Sequence, residues 1–315
     1  MESRVPATDH FMRRVRRAAT VGQVVVALIA LHLLARDAVA AAVALAPNAN
    51  GVVHSKAALP AELAGYAVRD LGRVPAARSR SLAGWLVEPR GARRSATIVL
   101  LHGVRTDSSL LGAFAQDFAQ AGYTALLVDL PGHGRSAGRF LGYGRAEARE
   151  VERFIDELQA DAVLQREPLG VFGFSYGGAV AVELAAMDPR VNAVVAVSAF
   201  ASVRQVMSDY RAKYLPAPLA LVPDSWFQGA VDEAATIAGF DPERGPLSAA
   251  SHTTMPILYM HGAADDQVPS EHSRRLARAT PRGELMTVPG LGHAAMPHDA
   301  IVRRHASEWF QRWLP

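Results

Sequence analysis

A serine, an aspartate and a histidine that could together perform nucleophilic catalysis occur in this sequence, in that order. Ser175 lies in the segment GFSYGG (173–178), which matches G-x-S-x-G, follows an apolar run and precedes a helix-like run. In a strand–turn–helix context this pattern holds the serine on a strained turn, with its hydroxyl exposed above the edge of a sheet. Gly173 and Gly177 suit this turn because a side chain at either position would collide with neighbouring backbone. The spacing therefore predicts attack by the Ser175 hydroxyl on a carbonyl carbon.

A general base and a carboxylate that orients it are expected after later strands. The segment HGAADDQVP (261–269) follows an apolar run and contains two adjacent carboxylates, Asp265 and Asp266. A carboxylate just beyond the end of a strand is well placed to orient a histidine, and the spacing leaves both aspartates open. The segment PGLGH (289–293) follows the last strand-like run, and its glycines form a loop that can carry His293 to Ser175. Because the chain has 11 histidines, the choice of His293 rests on the order of the three residues, each after its own strand.

Two backbone N–H groups are candidates to bind a developing oxyanion. The Tyr176 N–H follows the serine at the start of a helix, where the helix dipole adds to its effect. The segment LHGV (101–104) follows the first apolar strand, and its loop predicts the Val104 N–H as the second donor. His102 in the same loop is interpreted as a structural histidine that binds loop backbone.

Other chemistries are poorly supported by the sequence. The absence of cysteine excludes disulfides, thiolate catalysis and zinc–cysteine sites, and the basic residues are scattered apart from an N-terminal cluster, which argues against nucleic-acid binding. The segment DLPGHGRSA (129–137) matches G-x-G-x-x-A, but Pro131 stiffens the turn and no helix-like run follows at once. It is interpreted as a loop bordering the active site rather than a dinucleotide site. His298 and His305 lack further metal ligands, so neither a metal nor an organic cofactor is expected.

The elements that would position these residues alternate between strands and helices. Continuous apolar strands separated by helices predict an α/β fold with a mostly parallel, doubly wound sheet. Two earlier strand-like runs, 66–74 and 82–88, are expected to form an antiparallel pair. The predicted later strands cover 96–101, 123–130, 169–174, 191–197, 256–260 and 284–288.

The stretch 202–251 interrupts this alternation of strands and helices. It contains five prolines and a cluster of large apolar residues that includes Trp226 and Phe227. It follows the sixth strand and is predicted to be a mostly helical insertion. Placed above the strand ends, it would form a lid over an apolar acyl pocket. An ordinary long crossover is the alternative.

The N-terminal region is expected to be separate from the catalytic domain. Five arginines precede the apolar run 21–35, Arg36-Asp37 interrupts it, and 38–46 is apolar again. The favoured division is a basic tail (1–17), a transmembrane signal anchor (18–46), a linker (47–63) and the catalytic domain (64–315), with the N-terminus in the cytoplasm and the catalytic domain outside it. A cleaved signal peptide, which would leave an exported soluble protein, and a packed or interfacial helix are the alternatives. Because every motif lies beyond residue 95, removal of 1–46 is expected to leave a soluble, active enzyme.

The segments LLHGVRTDSS, LVDLPGHGRSAG, GFSYGG, HGAADDQVP and PGLGH together resemble the α/β-hydrolase superfamily, within it the membrane-associated Bem46 and serine-aminopeptidase-like group. The resemblance covers residues 64–315 and implies a sheet of about eight strands, with a helical lid after the sixth. Its H-G-x-x-D-x-x-V-P pattern assigns the acid to Asp265. It implies a serine hydrolase that cleaves carboxylic ester or related acyl bonds, with a small-molecule or lipid-like acyl substrate. A peptidase, an acyltransferase or a non-catalytic binding protein on the same fold are the alternatives.

Overall fold

Eight strands form a single sheet with the order β1-β2-β4-β3-β5-β6-β7-β8. The computed structural model describes residues 7–49, 58–72, 82–214 and 222–315. The strands are β1 (Val68–Asp70), β2 (Ala83–Val87), β3 (Thr97–Leu101), β4 (Thr124–Asp129), β5 (Leu169–Phe174), β6 (Val191–Val197), β7 (Ile257–Gly262) and β8 (Gly283–Val288). β1 and β2 form the expected antiparallel pair, β2 also runs antiparallel to β4, and β3 to β8 are parallel.

Helices cover both faces of this sheet, which explains why the central strands are apolar throughout. The α-helices are α1 (Ala7–Ala44), α2 (Gly112–Gln120), α3 (Arg145–Ala160), α4 (Tyr176–Met187), α5 (Val203–Tyr214), α6 (Asp224–Ala238), α7 (Pro246–Ala250), α8 (Glu271–Ala279) and α9 (Ala300–Trp313). α2 and α9 pack on one face, and α3, α4 and α8 pack on the other. β3, β4 and β5 are consequently buried at every position. The prediction of a doubly wound, mostly parallel sheet is confirmed.

The connection between β6 and β7 contains α5, α6 and α7, which together are called the lid here. The predicted helical character of 202–251 agrees with these three helices. Phe227 on α6 is buried, whereas its neighbour Trp226 is only half-buried. Three leucines of the predicted apolar cluster, at positions 215, 219 and 221, lie outside the described residues.

The last turns of α1 pack into the catalytic domain. Val39, Ala40, Val43 and Ala44 are buried in the larger hydrophobic core, on one face of the helix. The hydroxyl of Tyr143, at the loop before α3, donates a hydrogen bond to the Val43 carbonyl at 2.7 Å. A helix that served only as a membrane anchor would not bury this face against the catalytic domain.

Polar contacts attach the same part of the chain to the lid and to the loop before α3. The Arg36 guanidinium donates to the Gly229 carbonyl at 2.8 Å and lies 3.4 Å from the Glu233 carboxylate, both on α6. After the helix ends, the Ala46 N–H donates to the Arg139 carbonyl at 2.9 Å. Residues 36–49 are therefore in contact with the catalytic domain, which the predicted division into anchor and linker did not include.

The part of α1 before these turns is exposed and apolar. Among the described residues, one helical segment, Gln23–Ala44, is long and apolar enough to cross a membrane. Val26, Leu31 and Leu34 leave 66%, 63% and 65% of their surface exposed. The helix thus has two parts, an exposed apolar part up to about residue 35 and a packed part from residue 36.

The contacts of the packed part give a physical reason why removal of residues 1–46 would weaken the fold. Deletion of 1–46 is expected to lower the free energy of unfolding by about 3–6 kcal/mol, because two buried valines contribute about 1.5–3 kcal/mol each. Deletion of 1–35 keeps both valines and serves as the matched control. Urea unfolding followed by circular dichroism measures the difference. Equal unfolding free energies for the two truncated chains would show that the packed turns contribute nothing to the fold.

Candidate active site

Ser175 occupies the sharp turn between β5 and α4, as the sequence indicated. Its φ of +53° lies in the left-handed region that side chains rarely adopt, and 3% of its surface is exposed. A Cβ placed on Gly173 would lie 2.2 Å from the Gly177 carbonyl oxygen, and one on Gly177 would lie 2.1 Å from the Leu101 carbonyl oxygen. Both contacts are shorter than atoms tolerate, so the turn requires glycine at both positions.

His293 lies between Ser175 and Asp265. Its Nε2 is 2.9 Å from the Ser175 Oγ, and its Nδ1 is 2.7 Å from the Asp265 Oδ2. The loop after β8 carries the imidazole to the serine, and a short 3-10 helix that begins at His293 fixes it there. With its proton on Nδ1 and donated to the carboxylate, the ring presents the Nε2 lone pair to the serine hydroxyl. This arrangement can remove a proton from Ser175.

The Asp265 carboxylate is fully buried and accepts several hydrogen bonds. Its Oδ1 accepts from the Gln267 and Val268 N–H groups at 3.0 and 2.9 Å, while Oδ2 faces His293 and lies 3.3 Å from the His261 Nε2. Burial alone would raise the pKa of Asp265, but the hydrogen bonds from His261 and His293 outweigh it and hold this pKa well below its ordinary value. The carboxylate therefore stays ionised beside the imidazole.

Asp266 points away from this cluster. Its side chain is 74% exposed and forms an ion pair with Lys213 of α5, with the Nζ 2.5 Å from the Oδ2. The two aspartates that spacing alone left open are thus separated by the structure, and Asp265 is the one beside His293.

The loop that carries Val104 lies against the serine turn. A Cβ on Gly103 would lie 3.6 Å from the Ser175 Cβ, and one on Gly177 would lie 2.6 Å from the His102 carbonyl oxygen. His102 is buried, with its Nδ1 2.7 Å from the Gly103 carbonyl and its Nε2 accepting the Leu130 N–H at 3.0 Å. These contacts agree with its interpretation as a structural histidine. They also hold the Val104 loop beside the turn that carries the Tyr176 N–H.

Two residues that support the site were not singled out in the sequence. His261 reaches the Asp265 carboxylate, as described above, and its Nδ1 lies 2.7 Å from the Ser273 Oγ. Glu147, buried at the start of α3, accepts a hydrogen bond from the Tyr176 hydroxyl at 2.7 Å and from the Gly144 N–H at 2.9 Å. The only sequence signal for Glu147 is its place three residues after a helix start, as in a capping box. Burial, together with the Glu147 carboxylate, raises the pKa of Tyr176 well above its ordinary value, so its hydroxyl remains a donor.

A cavity of about 540 Å³ lies next to the serine turn. Val104 and Tyr176, the two residues with candidate oxyanion N–H groups, line it, as do lid residues that include Phe227. Its size falls within the range of small-molecule sites, about 300–1,000 Å³. Trp226 does not line it: its indole Nε1 lies 2.9 Å from the His32 Nε2 on α1. Of the two aromatic residues in the predicted lid cluster, Phe227 lines the cavity and Trp226 does not.

This separation predicts different effects for two neighbouring substitutions. Phe227→Ala enlarges the cavity and is expected to shift the preferred acyl chain of ester substrates to greater length. Trp226→Ala is expected to leave that preference unchanged, because the indole contacts α1 outside the cavity. Initial rates on p-nitrophenyl esters of graded chain length measure both effects. Identical chain-length profiles for the two variants would contradict the assignment of Phe227 to the substrate wall.

Comparison with known proteins bears directly on this arrangement. The family described as "Alpha/beta hydrolase family" matches residues 98–305, a region that contains Ser175, Asp265 and His293. The chain belongs to this family.

Relatives of this hydrolase include esterases. Esterase YjfP of Escherichia coli is 27% identical over 65% of this chain and 86% of that protein. The pimeloyl-[acyl-carrier protein] methyl ester esterase of Nitrosospira multiformis is 38% identical over 32% of this chain, and the match spans 37% of that relative's length. The solved esterase Pf2001 of Pyrococcus furiosus superimposes with a TM-score of 0.63 at 19% identity, over 84% of this chain and 98% of that one, which shows the shared fold.

Proposed function

We propose that this α/β hydrolase is a serine esterase in which Ser175 is the nucleophile, His293 the general base and Asp265 the residue that orients the histidine. The observation that carries the proposal is the continuous chain of contacts from Ser175 Oγ to His293 Nε2 at 2.9 Å and from His293 Nδ1 to Asp265 Oδ2 at 2.7 Å. The strained serine turn after β5 and the loops after β7 and β8 meet at one point, which is the arrangement that nucleophilic attack by a serine requires.

The reaction proceeds in two steps. The Ser175 oxygen attacks the ester carbonyl carbon while His293 takes the hydroxyl proton, and the resulting imidazolium is stabilised by the Asp265 carboxylate. The imidazolium then gives this proton to the leaving alcohol, which departs and leaves an acyl-serine. Water, deprotonated by His293, attacks the acyl-serine and releases the carboxylic acid, and the proton returns to Ser175.

The tetrahedral oxyanion is assigned to the N–H groups of Tyr176 and Val104. Both residues line the cavity, and Tyr176 is the first residue of α4. Each preorganised donor of this kind lowers the barrier by about 2.7–4 kcal/mol.

The cavity favours an ester over a peptide with a free amino terminus. Among the described residues that line it there is neither aspartate nor glutamate, and its charged members are Arg105 and Arg211. An aminopeptidase needs a carboxylate to bind the substrate ammonium group, and two arginines would repel it. The esterase names of the relatives support the same assignment, and the narrower resemblance to the Bem46 and serine-aminopeptidase-like group stays a prediction.

Covalent labelling tests the nucleophile, and a substrate panel tests the reaction class. A fluorophosphonate probe is expected to label the full-length protein at Ser175, as read by peptide mass spectrometry. Hydrolysis of p-nitrophenyl butyrate is expected to exceed that of aminoacyl p-nitroanilides. Labelling at another residue would contradict the assignment of the nucleophile, and faster release from the anilides would make the protein a peptidase.

We also propose that α1 is an uncleaved single-pass anchor, with the N-terminus in the cytoplasm and the catalytic domain outside it. Four arginines at positions 13, 14, 16 and 17 precede the exposed apolar part of the helix, and such clusters stay on the cytoplasmic side. Removal of residues 1–46 as a signal peptide would take Val39 and Val43 out of the core. The packing of α1 therefore supports retention of the segment.

A further inference from the structure

The packed turns of α1 form part of the substrate cavity. Val39, Ala42 and Val43 line the same cavity as Phe227 of the lid and Tyr176 of the serine turn. One continuous space therefore connects a candidate oxyanion donor with the helix whose earlier turns are exposed and apolar. Neither the motifs nor the hydropathy of the sequence placed this helix at the site.

With α1 as the proposed anchor, the ion pair of Arg36 is assigned to the point where the helix leaves the hydrocarbon of the bilayer. Its guanidinium is held by the Gly229 carbonyl and the Glu233 carboxylate of the lid, and charged groups are costly within hydrocarbon. The 18 residues from 18 to 35 span about 27 Å at 1.5 Å per residue, close to the hydrocarbon thickness of about 30 Å. This position places the lid directly at the membrane surface.

The cavity then lies close to the lipid. Ala42 is exposed and lines the cavity, and it follows Arg36 by six residues, or about 9 Å along the helix. An acyl chain that leaves the bilayer along this face of α1 meets apolar side chains over that distance. Contact with these side chains removes part of the chain from water, where each exposed CH₂ group costs about 0.8 kcal/mol.

We propose that the enzyme takes its substrate from the bilayer in which α1 is embedded, and that this substrate is a long-chain acyl ester whose chain lies against Val39, Ala42 and Val43. The proposal rests on the esterase function proposed above and adds the class and source of the substrate. It makes α1 a specificity-determining wall of the cavity in addition to an anchor.

A substitution on the face of α1 that lines the cavity tests whether this helix contacts the acyl chain. Ala42→Trp adds bulk where the cavity is lined by an exposed residue, so the core need not rearrange. Ala30→Trp makes the same exchange three turns earlier on the same helix, at another exposed position, and is the matched control. In the full-length protein in detergent, Ala42→Trp is expected to lower the ratio of kcat/KM for p-nitrophenyl palmitate to that for p-nitrophenyl butyrate by about tenfold or more, as expected for steric exclusion of the longer chain. Ala30→Trp is expected to leave this ratio unchanged.

A second variant keeps the test decisive if Ala42→Trp folds poorly. Val43→Ala shortens a side chain of the same wall, which enlarges the cavity, and is expected to move the chain-length optimum toward longer esters. Equal effects of Ala42→Trp on short and long esters together with an unchanged optimum for Val43→Ala would overturn the assignment of α1 to the wall.

The source of the substrate is tested with phosphatidylcholine vesicles. The full-length protein is reconstituted, and a long-chain monoacylglycerol is placed either in the same vesicles or in separate ones. Hydrolysis is expected to be about tenfold faster or more when protein and ester share a vesicle, because effective concentration rises when both occupy one surface. Equal rates would overturn delivery from the bilayer while leaving the esterase function intact. Absence of both butyrate hydrolysis and fluorophosphonate labelling would instead overturn the esterase function, and this inference with it.

Discussion

Ser175→Ala is expected to lower kcat for ester hydrolysis by about 10⁶-fold, the loss seen when the nucleophile of a serine hydrolase is removed. The alanine cannot form the acyl intermediate, and His293 then has no hydroxyl to deprotonate. The fold is expected to survive because the hydroxyl contacts His293 and contributes little to the hydrophobic core. Steady-state rates on p-nitrophenyl butyrate and loss of fluorophosphonate labelling measure the effect.

Ser198→Ala is a matched control for this substitution. Ser198 follows β6, is fully buried, and has a φ of +50°, so its backbone is as unusual as that of Ser175. Within the described part of the chain its Oγ has no hydrogen-bond partner, so loss of the hydroxyl is expected to leave both activity and stability nearly unchanged. A Ser175→Ala enzyme that retains more than about a hundredth of the wild-type rate would contradict the nucleophile assignment, because the oxyanion donors and binding alone give far less.

The central sheet was predictable because its strands are buried on both faces. A strand in that position has no polar side, so it reads as a short continuous apolar run, and the predicted strand 96–101 agrees with Thr97–Leu101 to within one residue. The last helix, α9, begins at Ala300, because Asp299 caps it and the preceding residues, which include Pro297, form the 3-10 helix. The first residue of a helix is set by its capping residue, which the pattern of apolar residues does not reveal.

The packing of α1 was not predictable from hydropathy. An apolar helix has the same composition whether its partner is lipid or protein, so the buried Val43 and the exposed Leu34 look alike in the sequence. The separation of Trp226 from Phe227 has a related cause. Successive residues on a helix differ by about 100° in direction, so adjacent aromatic residues face different neighbours, and only the docked position of α6 decides which faces the cavity.

The site residues were easier to locate than their supporting contacts. Each of Ser175, Asp265 and His293 follows a strand of one parallel sheet, and the carboxyl ends of such strands lie at a common edge, so their convergence follows from the fold class. His261 lies within β7, one residue before its end, and a histidine inside an apolar strand gives no sign of the carboxylate it will contact. Its approach to Asp265 depends on the path of the loop 263–268, which spacing does not determine.

Asp265→Asn is expected to lower kcat by about 10⁴-fold, with a much smaller effect on KM. The amide keeps the size of the side chain but removes the negative charge that stabilises the imidazolium. It also allows His293 to carry its proton on the wrong nitrogen, so that Nε2 no longer accepts from Ser175. The hydrogen bonds that hold the pKa of Asp265 low show how strongly the site favours the ionised form.

Asp266→Asn is the matched control, because it makes the same exchange one residue along the same loop. Asp266 is exposed and paired with Lys213, and an ion pair in solvent contributes little to stability because water screens it. Loss of the Asp266 charge is therefore expected to change kcat by less than about threefold. Asp266 does not contact His293, and the Asp265 carboxylate beside His293 keeps its charge. Initial rates over a range of p-nitrophenyl butyrate concentrations give kcat and KM for both variants. Equal losses, or a larger loss for Asp266→Asn, would mean that the imidazole is oriented by a different carboxylate in the working enzyme. The ratio of the losses in kcat for the two variants therefore tests the loop geometry. The sequence left both aspartates as candidates to orient His293, and only the directions of their side chains distinguish them.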